Sequence, residues 1–255
     1  MQSPRNLHAP LDCNIHPGHM RNLLRTLILG FIAMLALGAL SACSSGTKTE
    51  ATSAAAPSSS TVAVTPGTFP KTARYMADME KDGKTMAIGI SVDGDQITAY
   101  ACNGVDDEAW FFGDQTEGKI DITSKFRDTL TASVDGSDVK GNLTMNGVTY
   151  AFTAAPVSAP AGMYTAELDG VRASWIVRPD GSVTGVQFNG GVTGRDFEQA
   201  ELQQLNAAQF QASVRNKRIL QQADQSVQIQ NGTLTSKING RSVTGNVVTG
   251  TTRFG

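Results

Sequence analysis

Leu40-Ser41-Ala42-Cys43 closes the long apolar run near the start of this 255-residue chain, and there residue type and spacing define a reaction. A lipoprotein signal peptidase accepts only small side chains before its cut, which Ser41 and Ala42 supply; the acylation that goes with it needs a thiol to make a thioether, which Cys43 supplies. Cleavage between Ala42 and Cys43 with lipidation of Cys43 is therefore expected. Arg21 and Arg25 give the basic flank, and residues 26–40 form an apolar stretch of signal-peptide length, short of the roughly 20 residues a spanning helix needs. Met20-Arg21-Asn22-Leu23-Leu24-Arg25 already opens a complete signal sequence, so residues 1–19 read as a non-native extension and residues 20–42 as the signal peptide.

Removing residues 1–42 takes away His8, His16 and His19, all three histidines of the chain, and with them the usual Ser-His and Cys-His pairs and most zinc sites. Cys13 goes too, which leaves Cys102 beside an acylated Cys43 and rules out an internal disulfide. With Arg5, Arg21, Arg25 and Asp12 gone, 18 basic residues face 22 acidic ones, a formal charge of −4. That mild, unclustered balance speaks against nucleic acid and against a polybasic membrane patch.

Other constellations are few. Ser137-Asp138-Val139-Lys140 matches Ser-x-x-Lys, the nucleophile and base of penicillin-recognising enzymes. Here it falls on a predicted hairpin rather than a helix, without a Ser-Asp-Asn or Lys-Thr-Gly companion, and reads as coincidence. Asp106-Asp107-Glu108 with Asp114 offers oxygen ligands of the kind calcium takes. Lacking the Asp-x-Asp-x-Asp-Gly spacing, it reads as a wet acidic loop. Cys102, next to Trp110, Phe111 and Phe112, reads as a small core hydrophobe. Tyr150, Phe152 and Trp175, at alternate strand positions, read as core rather than ligand platform. No catalytic set, metal site or cofactor is expected from these residues.

The elements that position them fall into two parts. Residues 44–70 contain six Ser, six Thr, five Ala and three Pro, too few apolar side chains to offset the entropy of ordering. They read as a tether about 30 Å in root-mean-square span, either bare or O-glycosylated. Residues 71–255 carry ten Asx-Gly pairs, at 82, 93, 103, 135, 146, 169, 180, 189, 231 and 239, each a candidate tight reversal between antiparallel strands. Strands are predicted at 85–92, 96–102, 109–112, 119–123, 130–134, 139–145 and 148–153. After a possible subdivision at 156–162 they resume at 163–167, 171–177, 183–188, 226–230, 233–238 and 242–248. Leu143 and Met145, then Tyr150 and Phe152, alternate with polar residues, giving one buried and one wetted face.

The fold class is thus mainly β, an antiparallel meander forming a barrel or a sandwich, with one helix near 196–212. Asp196 and Gln199 suggest its capping box and Phe197, Leu202, Leu205 and Ala208 its apolar stripe. A weak repeat, Asp135-Gly136…Gly141, Asp180-Gly181…Gly185 and Asn239-Gly240…Gly245, reads as recurrent hairpin chemistry in preference to duplication.

The segments Met86-Ala-Ile-Gly-Ile-Ser-Val-Asp-Gly94, Ala99-Tyr100-Ala-Cys102-Asn-Gly104, Ala109-Trp110-Phe-Phe-Gly113 and Gly141-Asn-Leu-Thr-Met-Asn-Gly147 resemble a family of actinobacterial, largely mycobacterial, envelope lipoproteins. The resemblance covers about residues 85–165. It implies an extracytoplasmic lipoprotein on a β scaffold, lipid-anchored on the outer face of the cell membrane, and brings no catalytic residues. Three functions follow. The first is a non-enzymatic protein binding cell-wall components or other envelope proteins. The second is a lipid or small-ligand carrier with an apolar barrel cavity, and the third a histidine-free hydrolase built on carboxylates.

Overall fold

The computed structural model describes residues 67–254. Residues 1–19, the signal segment, Ala42, Cys43 and the tether as far as Pro66 lie outside the described residues.

Eight strands follow one another as a meander: β1 (Thr72–Lys81), β2 (Lys84–Asp93), β3 (Gln96–Cys102), β4 (Glu108–Thr116), β5 (Lys119–Thr123), β6 (Thr129–Asp135), β7 (Asp138–Met145) and β8 (Val148–Pro156). Each pairs antiparallel with the next, and β8 returns to β1 with Pro156 opposite Tyr75, closing a barrel. Turn chemistry sets the register. Asp82-Gly83 and Asn146-Gly147 hold both residues at positive φ, the geometry that matches the twist of the flanking strands. Glu117-Gly118 does the same without an Asx residue, with Glu117 at φ 51°, which is why no Asx-Gly signal marks this turn. Asn103-Gly104 and Asn189-Gly190, by contrast, sit in longer connections and not in tight hairpins.

The barrel interior is filled by one continuous cluster, including Tyr75, Met79, Ile88, Ile90, Phe111, Leu130, Leu143, Tyr150 and Phe152. Strands β5 to β8 alternate between this core and water, as their sequences indicate. Strands β2 and β3 do not. Met86, Ile88, Ile90 and Val92 point inward, while Ala87, Ser91, Thr98, Tyr100 and Cys102 are also buried, on the outer wall. Neither face of these two strands is wetted, because a second sheet covers the outer one.

That sheet begins after residues 157–161. Its strands are β9 (Gly162–Leu168), β10 (Val171–Val177), β11 (Val183–Phe188), β12 (Leu220–Gln222), β13 (Gln228–Gln230), β14 (Thr233–Ile238) and β15 (Arg241–Val247), in the spatial order β12-β11-β10-β9-β15-β14-β13. It curls round Tyr164, Trp175, Leu234 and Ile238 as a half-barrel. Its other face meets the outer barrel wall through Met163, Ile176, Val186 and Val248, packed with Tyr100, Cys102 and Trp110. Contact is close at Gly89, where a Cβ would lie 2.5 Å from Met163 Cγ. The repeat has a related cause: a Cβ at Gly185 would lie 2.5 Å from the Ser174 carbonyl, so glycine there relieves crowding beside Trp175.

Between β11 and β12 the single helix expected near 196–212 is two: α1 (Gly194–Leu202) and α2 (Ala207–Ser213), then a 3-10 turn at Arg215–Lys217. Gln204 adopts φ 49° and ends the first, and Asn206 with Gln209 forms a capping box for the second. Asp196 is the third residue of its own box and accepts from the Thr193 backbone N–H at 2.7 Å, so the cap lies three residues earlier than Asp196 and Gln199 suggest. Leu202 is 84% exposed and Ala208 is exposed; the apolar side that packs is Phe197, Ala200, Leu205, Phe210 and Val214, against Phe126 of the β5–β6 loop.

The last residues of the expected tether belong to the fold. Phe69 packs on the barrel core, its ring edge-on to Tyr75 at 5.9 Å, and Gly67 lies against Gly118 and Val134. The segment crosses the barrel end formed by the β4–β5 and β6–β7 turns.

Candidate functional site at the barrel mouth

The opposite barrel end is made by the β1–β2, β3–β4, β5–β6 and β7–β8 connections, and the helical segment lies over part of it. Asp107 and Asp128 hold the segment down. Arg215, 5% exposed, donates to Asp107 at 2.8 Å and to Asp128 at 3.2 Å; Arg218 donates to the same Asp107 oxygen at 3.0 Å and to the Glu108 carbonyl at 2.5 Å. Arg127 reaches the Leu205 carbonyl at 2.8 Å, and the Gln211 amide bonds Asn146. Burial raises the Asp128 carboxyl above its ordinary range, with the Arg215 guanidinium opposing the rise; burial likewise lowers Arg218. Removing one partner of such a set strands a buried charge, so the ion pairs fix the position of the segment whatever their net contribution to stability.

Beside this clamp lies a cleft of about 510 Å³. Its apolar floor is Met86, Met145, Val148, Tyr150 and Leu220; its polar rim is Lys84, Asn103, Asp106, Asn146, Asn216 and Arg218. Asn103 shapes one wall, because its side-chain oxygen accepts the backbone N–H groups of Val105, Asp106 and Asp107 while its amide donates to Asp106 at 2.9 Å. Tyr150 is 4% exposed, its ring in the barrel core, and its phenol is raised by burial and then by the charge of Asp107. The volume falls within the usual range for small-molecule sites, roughly 300–1,000 Å³.

The residues singled out by sequence distribute differently. Asp107 and Glu108 are neither wet nor gathered for a cation: Glu108, 3% exposed, pairs with Arg172 at 2.9 Å, and Asp107 with two arginines. Asp114 lies six residues along β4 from Glu108, roughly 20 Å at strand spacing. Among the described residues no group of three acidic, Cys or His side chains is arranged to hold a metal. Ser137 sits on the β6–β7 turn and donates to Asp138 at 3.2 Å, while exposed Lys140 pairs with Asp135 at 2.5 Å; serine and lysine face different partners. Cys102 is fully buried and free, its thiol pushed up by burial to about 12, so the nucleophilic thiolate does not form at neutral pH.

A second polar group lies sealed between barrel and half-barrel. Tyr100 Oη, Glu108 Oε2, Trp110 Nε1 and Arg172 Nε are buried without a hydrogen-bond partner. Tyr100 stacks on Trp110 at 4.4 Å, and burial, then Cys102 and Glu108, hold its phenol well above the ordinary value. The lining of the barrel-mouth cleft includes none of the four.

Asp128, Arg215 and Arg218 are the residues that sequence reasoning passes over. The run Arg215-Asn216-Lys217-Arg218 is visible only as a blurred helical period, and the buried Val214 before it gives the sole hint that these cations face inward.

Comparison of the chain with protein-family models, with curated proteins and with solved structures finds no match. The fold and the cleft themselves therefore define the class, an eight-stranded antiparallel barrel joined to a half-barrel sheet, with a ligand-sized cleft at the barrel mouth.

Proposed function

We propose that this chain is an extracytoplasmic lipoprotein of the kind its sequence motifs resemble, cut before Cys43, anchored there by lipid, and acting as a non-enzymatic binding protein for a component of the cell envelope. The observation that carries the binding role is the cleft over a filled barrel. Its floor is core, its walls are fixed by the Asp107–Arg215–Asp128 clamp, and a preformed site of this kind costs little ordering when it is occupied. The carrier reading gains nothing here, because side chains such as Phe111, Leu130 and Phe152 occupy the space an acyl chain would need. The hydrolase reading also loses support, since Asp107 and Glu108 are engaged by arginines and lack a free base beside a nucleophile.

Expression of the full chain and of Cys43→Ala in a lipoprotein-processing bacterium tests the anchor. Intact-mass analysis is expected to show a diacylglyceryl adduct on the first and unmodified precursor or shed protein for the second. The same adduct on both would refute lipidation at Cys43.

A further inference from the structure

We infer that the barrel-mouth cleft binds an uncharged, polyhydroxylated ligand of one or two sugar rings, with the Tyr150 hydroxyl as its deepest contact. This rests on the reading of the chain as a binding protein and names what is bound. Tyr150 is 4% exposed, its ring lies in the barrel core, and its hydroxyl, which makes no hydrogen bond with a described residue and is not among the sealed polar atoms, is what it presents to the open cleft. Water in the cleft can satisfy that hydroxyl, and a ligand hydroxyl can take the water's place.

Charge decides the class of ligand. The two arginines at the cleft are committed to Asp107, Asp128 and the Glu108 carbonyl, which leaves Lys84 and Asp106 as the rim ions, one of each sign. Such a site offers no net field to an anion or a cation. The other rim groups, Asn146 and Asn216, are amides that both donate and accept, the complement of hydroxyl groups, which do the same. Met86, Met145, Val148 and Leu220 give an apolar floor for the C–H face of a ring. A long acyl chain cannot run on into the barrel, because the core beneath the floor is filled.

The test uses the full chain in lipid nanodiscs, with saturation-transfer NMR and calorimetry against trehalose, maltose and N,N′-diacetylchitobiose, and against digalacturonate and glucosamine as charged comparators. Saturable binding of at least one neutral disaccharide is expected, in preference to both comparators. Tyr150→Phe should weaken it about tenfold, the usual cost of one lost hydrogen bond, with an unchanged unfolding midpoint. Asn216→Ala, on the exposed rim, should weaken it without touching the core. Absence of saturation with all three neutral sugars, preference for a charged one, or wild-type affinity in both variants would overturn the assignment. Lipidation, read separately by intact mass, shows whether the anchored-lipoprotein reading stands when the sugar assignment fails; sugar cleavage products would instead end the non-enzymatic reading.

Discussion

Trp110 is 8% exposed although it lies on the outer wall of the barrel, because Tyr100, Phe112 and the C-terminal Phe254 surround it, Phe254 edge-on at 4.7 Å. Its neighbour Phe111 points the other way and is fully buried inside the barrel. One aromatic run thus serves two cores, and the first half of β4 is dry on both sides. Trp110→Ala is expected to cost about 3 to 5 kcal/mol, the usual range for a buried large aromatic, measured by urea unfolding followed through far-UV circular dichroism. A loss under about 1 kcal/mol would mean that the half-barrel does not press on this wall. The same seal accounts for Cys102: residues 102 and 110 both face the half-barrel, and the thiol is a packing group there.

At the scale of elements, hairpins were legible and ion pairs were not. Asp and Asn before Gly mark a turn because the backbone needs positive φ there, a local demand that sequence displays; β3, β5, β10, β11 and β14 begin and end where the alternation and turns place them. Strand β1 carries no clear strand signal because its inward Tyr75, Ala77 and Met79 are set among Arg, Asp, Glu and Lys, residues of poor strand propensity, and pairing along all of β2 and with the end of β8 holds it extended. The candidate site is harder still. Asp107 and Glu108 are conspicuous, but Arg172 stands 64 residues from Glu108 and Arg218 stands 111 from Asp107, and nothing local announces either partner.

The helical segment carries its own pH signature. Asp196 is held down to about 2 by Lys217, whose ammonium donates at 2.6 Å, and by the Thr193 N–H. The folded value lies below the ordinary 3.8, so between about pH 4 and pH 2 the unfolded chain binds more protons than the native one. The contribution of Asp196 is complete above that window and lost as pH falls through it. Asp196→Asn should therefore lower the thermal midpoint at pH 6, and the gap from wild type should close as pH 2 is approached; a gap constant with pH would assign the loss to something other than this carboxylate.

For the whole molecule, the barrel and half-barrel share one wall, and the chain end fastens them. Thr98 donates its hydroxyl to the Gly250 carbonyl at 3.0 Å, Arg253 returns a bond to Thr98, and the Gly250 N–H donates to Asp93. The described residues belong to one compact unit. If the export signal opens at Met20, as the sequence predicts, a chain begun at Met20 should reach the envelope at the same level as the full one, measured by immunoblot of fractionated cells. Failure of the shorter chain alone would move the start of the export signal upstream.

Phe69 and Gly67 lie at the barrel end away from the cleft, and on the proposed anchoring at Cys43 and binding of an envelope component this would have a mechanical consequence. A pull between the two enters at the head of β1 and runs along the strand. The β1–β2 ladder, from Thr72 opposite Asp93 to Lys81 opposite Lys84, has its hydrogen bonds across that direction, so tension loads them together in shear instead of peeling them apart in sequence. Placed this way round, and with the proposed anchor and ligand, the barrel would act as a rigid link in series between the two.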